Sequence, residues 1–421
     1  MRNRFCIVLA VFCAYLFSQV FYDSLWKLRS YTSLDEVYFT KSNEVLHKFD
    51  HIRRYDLDIG NPKLASNSYI DNVTVLHKGP PLSGPKFTRE NATLLMLCRN
   101  WELNGVLKSM RSLEDKFNRN YNYDWVFLND VPFDQEFMEQ TSAMASGETY
   151  YGLIPEEDWN VPDWIDKHKF QNALIMMDQQ GVLYGGSRSY RNMCRFNSGF
   201  FFRQKLLQNY DYYFRVEPHV EYFCDFPYDP FKFMRERNKK YGFVITLFEY
   251  EDTVPTLWET VEEFIALYPE LVDFKTNAYQ FISQSTELNE RELTTSPATD
   301  YNLCHFWTNF EIGDLNFFRS ERYLKFFEYL DQKGGFYYER WGDAPVHSIA
   351  VALLMKTDEI HHFDDIGYYH APYGTCPRSH GARLAQRCVC DTEPSKQNID
   401  LQPFSCLPLW WKNGGGKYFM G

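Results

Sequence analysis

From Asn91 onward, short apolar runs alternate with longer stretches in which apolar residues return every third or fourth position. TLLMLC (93–98), DWVFLND (124–130) and ETYYGLI (148–154) have the length and content of buried strands. NWELNGVLKSMRSLEDKF, DQEFMEQTSAMAS, WIDKHKFQNALIMMDQQG, FKFMRERNKK and TLWETVEEFIALYPEL carry helical spacing between them. FNSGFFF, YYFRVEP and YGFVITLFEY read as further strands. This alternation predicts an α/β fold with a largely parallel sheet flanked by helices. Ligands in such sheets bind beyond the C-terminal strand ends. Asp130 and Glu217 fall at such ends, and Arg99 directly follows one.

The stretch from Phe274 to Asp300 is polar and irregular and reads as a surface insertion. An aromatic strand (LCHFWTNF), a helix (ERYLKFFEYLDQ) and a second helix starting near Ala344 follow. The tail beyond Cys376 lacks periodicity and reads as irregular chain cross-linked back onto the body. Residues 23–85 are polar, with a short helical pattern near Leu34 to Arg54, and end in HKGPPLSGPK. Those prolines and glycines resist regular structure, so the segment reads as a stem.

The first 22 residues form a separate object. Arg2 and Arg4 precede an apolar run from Phe5 to Tyr22. A run of this length is marginal for a bilayer span and long for the core of a cleaved signal peptide. No small-x-small cleavage site follows, and the basic flank keeps the N-terminus cytoplasmic. The expectation is a signal anchor at 1–22, a stem at 23–85 and a luminal body at 86–421.

Composition agrees with that picture. A net charge of −12 excludes nucleic acid as a partner for the whole surface. Eight cysteines lie beyond the anchor: Cys98, Cys194, Cys224, Cys304, Cys376, Cys388, Cys390 and Cys406. In an oxidising compartment an even number suggests disulfides, whose connectivity sequence does not give. One residue between Cys388 and Cys390 is poor zinc spacing and favours disulfide roles. Asn72-Val-Thr and Asn91-Ala-Thr are glycosylation acceptors in a luminal chain.

The chemistry-bearing residues cluster in YYFRVEPHVEYFCD (212–225), FWTNFEIGDL (306–315), GGFYYERWGDAPVHS and DIGYYHAPYGTCP. They set acidic, histidine and tyrosine side chains at the ends of apolar runs. A carboxylate and a neutral imidazole suit Mn²⁺, whose shell phosphate oxygens can complete. A phosphate-cradling P-loop and a Gly-x-Ser-x-Gly elbow are both missing, which removes the parts that kinase-like and hydrolase chemistry require.

Together with DWVFLNDVPF and RFNSGFFF, these blocks resemble the fungal Golgi α-1,2-mannosyltransferases of the Kre/Ktr type, glycosyltransferase family 15. The resemblance runs from about Lys86 to Pro377. It implies a GT-A fold with one Rossmann-like domain, Mn²⁺ as cofactor, GDP-mannose as donor and mannosylated glycoproteins as acceptors. The implied reaction adds mannose to a mannose hydroxyl with retention of configuration, in the Golgi lumen.

Residue by residue, the resemblance makes Glu217, before Pro218, the first metal ligand and His370 the second. It prefers His370 to the neighbouring His361 and His362. His219 occupies a variable position, either a bystander or an influence on metal preference. Glu311 matches the carboxylate beside the anomeric carbon, as nucleophile or as stabiliser of oxocarbenium charge. The competing reading is a buried glutamate satisfied by neighbouring donors. Tyr190 matches a tyrosine near the donor diphosphate, and Arg99 is placed to meet the nucleotide. Tyr184 and Arg215 match positions associated with acceptor mannose; an ion pair on the strand is the alternative for Arg215. Glu339, Trp341 and Asp343 form a polar cluster, and Asp343 either caps the following helix or contacts the acceptor. Mannosyl-phosphate transfer and non-catalytic mannan binding are the alternative functions.

Overall fold

The computed structural model describes residues 73–76, 88–283, 300–393 and 398–416. All of them fall within one unit, Leu64–Gly421. The anchor at 1–22, the helical pattern near Leu34 and Asn72 lie outside the described residues. No helix among the described residues is long and apolar enough to cross a membrane.

An eight-stranded sheet organises the body, in the order β1-β4-β3-β2-β5-β10-β7-β11. Its strands are β1 (Val73–Leu76), β2 (Ala92–Leu97), β3 (Asp124–Asn129), β4 (Thr149–Leu153), β5 (Tyr212–Arg215), β7 (Tyr241–Phe243), β10 (Glu311–Asp314) and β11 (Ile360–His362). β4, β3, β2 and β5 run parallel to one another, whereas β1, against β4, and β10, between β5 and β7, are antiparallel. The sheet is therefore mixed. The chain moves outward from β2 to β4, then returns to the other side of β2 as β5. That reversal leaves a crevice beyond the ends of β2 and β5, the usual ligand position in open α/β sheets.

The helices form where spacing predicts them. In Leu103–Lys116, Val106, Met110 and Leu113 make one buried stripe. Asp134, Asp166, Asp229 and Ser320 cap the helices Gln135–Met144, Lys167–Gln179, Pro230–Glu236 and Glu321–Lys333 by accepting from their first-turn amides. The last of these ends at Gly334, whose φ of 72° is a left-handed stop.

Several expectations are corrected. FNSGFFF is not a strand: it closes the helix Arg188–Gly199 and continues as a 3₁₀ turn at Phe201–Arg203. Its aromatic content suits a sheet, but a Cβ at Gly199 would stand 2.0 Å from the Phe327 ring. Close helix packing through that glycine wins over local strand propensity. YGFVITLFEY splits into β7 and β8 (Thr246–Phe248), and β8 leaves the main sheet to pair with β9 (Cys304–Phe306). The segment read as a polar insertion contains the helix Tyr279–Ser283, with Phe281 and Ile282 buried; Phe281 stacks on Phe306. Its residues 284–299 lie outside the described set. The stem reading fails at β1, whose backbone pairs with β4 from Val73–Gly152 to Leu76–Thr149.

The tail folds back as expected, through Cys224–Cys388, Cys376–Cys390 and Cys304–Cys406. It also contains the helices His380–Ala385 and Leu407–Asn413, and the latter inserts Trp410 into the core. Cys98 and Cys194 are buried free thiols rather than disulfide partners.

Candidate active site

Strand alternation puts Tyr213 and Arg215 of β5 on one face. The register of β10 then sets Glu311 opposite Arg215 and Gly313 opposite Tyr213. On its other side Gly313 pairs with Tyr241 of β7. A Cβ on Gly313 would lie 2.6 Å from the Tyr213 ring, so the glycine makes room for that ring. The two tyrosines close on Glu311: Tyr213 donates its hydroxyl to Oε1 at 2.8 Å and Tyr241 to Oε2 at 2.9 Å. The His347 Nδ1 lies 3.1 Å from the same Oε2. Glu311 is 1% exposed, so the reading of a buried glutamate with satisfied oxygens describes its surroundings.

Arg215 ties Glu311 to the other acidic residues. Its Nη1 donates to Asp343 Oδ2 at 2.5 Å and lies 4.0 Å from Glu311 Oε1, while Nη2 donates to Glu217 Oε1. Thr308 also donates to Asp343 Oδ2, at 2.8 Å. Asp343 is therefore not the cap of its helix, Asp343–Leu354; Gly342 holds that position without a side-chain bond. The ion-pair alternative for Arg215 is present in the structure.

Glu217 follows β5, two residues beyond Arg215. Its Oε2 lies 3.5 Å from His370 Nε2. His370 ends β12 (Tyr368–His370), the middle strand of a small sheet with β6 (Glu221–Tyr222) and β13 (Tyr373–Thr375). The His370 Nδ1 faces the Ala371 carbonyl at 2.9 Å, and Trp307 meets the ring edge-on. A carbonyl only accepts, so Nδ1 carries a hydrogen, and this fixes the ring with Nε2 toward Glu217. Backbone orientation of this kind is what a metal-binding imidazole needs. Burial pushes the Glu217 carboxyl up, but Arg215 and then His370 outweigh it and hold it down to about 2. Among the described residues no group of three or more acidic, histidine or cysteine side chains could hold a metal. The fit is to a two-ligand site, a carboxylate and an imidazole, left open for ligands from outside the protein.

Tyr190, Tyr184 and Arg99 form a second group. Ser187 caps the helix that carries Tyr190, and the Tyr184 ring stacks on Tyr190 at 4.5 Å and 14°. Tyr184 is 54% exposed and has a φ of 58°, a left-handed conformation that side chains rarely adopt. Arg340 covers the Tyr190 ring at 5.2 Å. Arg99 donates to Ser189 Oγ, pairs with Asp130 at 3.4 Å, and lies against Trp101 and Trp159. Glu339 binds Thr256 and the Trp341 indole, which takes both away from the Asp343 cluster.

The rival histidines are accounted for elsewhere. His361 packs against Phe233 and Phe363, and His362 bonds to the Val244 carbonyl. The His219 ring rests on Gly105, where a Cβ would approach within 2.4 Å. Asn91 is exposed, and its Nδ2 donates to Asn209 O and Asp211 Oδ2.

Sequence reasoning missed Tyr213, Tyr241 and His347. Two signals for them were available: Tyr213 shares the face of Arg215, and His347 lies one helical turn after Asp343.

The comparisons with known proteins give the family. The profile of the family described as Glycolipid 2-alpha-mannosyltransferase matches residues 43–414. Probable mannosyltransferase KTR2 of Saccharomyces cerevisiae is 59% identical over 99% of this chain and 96% of its own length. Alpha-1,2 mannosyltransferase KTR1 of the same organism is 50% identical over 78% of this chain and 80% of its own. Among solved structures, the Mn/GDP form of core-mannan synthase A from Aspergillus fumigatus superposes with a TM-score of 0.73. It is 37% identical, and the match covers 84% of this chain and 100% of that one. The chain is an enzyme with a GT-A-like mixed α/β fold and belongs to the glycolipid 2-alpha-mannosyltransferase family, the fungal Kre/Ktr-type mannosyltransferases of glycosyltransferase family 15.

Proposed function

We propose that this enzyme transfers mannose from GDP-mannose to a mannose hydroxyl of glycoprotein glycans, forming an α-1,2 linkage with retention of configuration. The observation that carries the reading is the continuous chain of contacts from His370 through Glu217 and Arg215 to Glu311. It joins a two-ligand cation site to a buried carboxylate. The KTR1 relative is described as an α-1,2 mannosyltransferase, and the core-mannan synthase A structure is a Mn/GDP form.

In this reading Glu217 and His370 hold Mn²⁺, which neutralises charge on the departing GDP. Glu311 stands beside the anomeric carbon. Its carboxylate either attacks that carbon or stabilises its developing positive charge. Tyr213 and Tyr241 fix the plane of that carboxylate. Arg215 and Asp343 set the wall where the acceptor hydroxyl enters, with the exposed Tyr184 ring as a stacking platform for the acceptor. Tyr190 and Arg99 face the donor nucleotide. The catalytic body works in the Golgi lumen behind a type II anchor, with Asn72 and Asn91 as glycan acceptors.

The test uses the full chain in detergent with GDP-mannose, an α-mannoside and either Mn²⁺ or EDTA. A metal-dependent gain of one α-1,2-linked mannose, identified by mass and linkage analysis, supports the reading. A gain that retains phosphate replaces it with mannosyl-phosphate transfer. No transfer to any of several mannosides sinks it.

A further inference from the structure

His347 is fully buried, one turn into the helix that begins at Asp343. Its Nε2 lies 2.9 Å from the main-chain oxygen of Asn197 and its Nδ1 lies 3.1 Å from Glu311 Oε2. A carbonyl oxygen can only accept, so Nε2 carries a hydrogen. The Tyr213 and Tyr241 hydroxyls already donate to Glu311. If Nδ1 were bare, two lone pairs would face each other at 3.1 Å in a buried site. One proton therefore lies between the ring and the carboxylate.

We propose that His347 is held as an imidazolium, protonated on both nitrogens, and serves as the positioning residue and counter-charge for Glu311. The inference rests on the catalytic reading of Glu311. The proton sits on the ring because Glu311 is surrounded by donors and lies 4.0 Å from the Arg215 guanidinium. The titratable and charged groups around the pair are Glu311 from β10, Tyr213 and Arg215 from β5, Tyr241 from β7 and Tyr323 from the helix Glu321–Lys333. Asp343, on the same helix as His347, is taken by Arg215 and Thr308. Burial and the nearby Glu311 push the three tyrosine hydroxyls well above their usual range, so they remain donors. Phe201 and Phe318 pack against the imidazole. A carboxylate held in plane and kept ionised is needed whether Glu311 attacks or only stabilises charge.

The test is nitrogen NMR of the full chain labelled at histidine, with His347→Asn, or His347→Gln if that variant unfolds, assigning the signal. At pH 7 both ring nitrogens carry hydrogens, and in Glu311→Gln the ring loses one of them. His347→Asn keeps a neutral donor toward Glu311, so donor KM stays within about twofold while kcat falls about 10- to 100-fold. A bare Nδ1 in the unmutated protein overturns the proposal, as does full kcat in His347→Asn. An inactive Glu311→Gln alongside a neutral ring overturns this inference alone. Undiminished kcat in Glu311→Gln overturns the catalytic reading of Glu311, and the positioning role with it.

Discussion

The Arg215 Nη1 lies 2.5 Å from Asp343 Oδ2, a buried contact across 128 residues of chain. It fastens β5 to the first residue of the helix that carries His347. Without Asp343, Arg215 keeps Glu217 as a partner, but its Nη1 and the Thr308 hydroxyl lose their buried acceptor. Asp343→Ala is therefore expected to lower the unfolding free energy by about 2 to 3 kcal/mol. Urea denaturation checks this; a change under about 1 kcal/mol would mean the pair behaves as a surface bridge.

Glu217→Gln keeps the shape of the side chain and removes its charge. With only His370 left as a protein ligand, Mn²⁺ affinity should fall by more than the roughly 10- to 100-fold typical of an outer-shell loss. Titration of Mn²⁺ by paramagnetic resonance, with GDP present, measures it. Unchanged affinity removes Glu217 from the metal site.

Tyr184 stacks on Tyr190 from an exposed, left-handed position. Tyr184→Gly relieves a conformational penalty of about 1 kcal/mol. The expected result is a Tm that shifts by less than about 3 °C while acceptor KM rises and donor KM does not. A KM change confined to the donor would move Tyr184 to the nucleotide side.

The two histidines of β11 make the fold sensitive to acid. Burial pushes His361 down to about 3 and His362 down to about 4, from the ordinary 6.5. Between those values and 6.5 the unfolded chain binds protons that the folded chain refuses. Stability is therefore complete above pH 6.5 and declines as pH falls below it. Each group contributes about 1.4 kcal/mol per pH unit within its window. His361→Phe retains ring packing against Phe233 and Phe363 and should lose less Tm between pH 7 and 5 than the unmutated protein. Equal losses would sink the attribution to His361.

A chain begun at Lys86 lacks β1 and bares the hydrogen-bonding edge of β4. It should melt below a chain begun at Leu64 and aggregate more readily. Scanning calorimetry and light scattering on the two compare them directly.

The sequence made the helices legible, because capping residues and apolar spacing are local. Glu217-Pro218 and the block around Glu311 were singled out through resemblance. The setting of Glu311 was not, since it depends on the register of β10 against both β5 and β7. No local pattern places Tyr213 and Tyr241 on either side of Gly313. FNSGFFF misled for a related reason: its aromatics favour strands, and only Phe327, far along the chain, reveals the helix. β1 was hidden in a polar stretch because four residues at a sheet edge carry little pattern.

Cys388 and Cys390 hold the two outer strands around His370: one binds Cys224, just past β6, and the other binds Cys376, just past β13. A ribosome therefore delivers every residue of the candidate site before it delivers the pair that clamps the His370 strand. A transcript broken ahead of Cys388 encodes Glu217, Glu311 and His370 and still leaves that small sheet without either tether. Completion of the polypeptide and exposure to an oxidant thus become joint conditions for a fully braced enzyme.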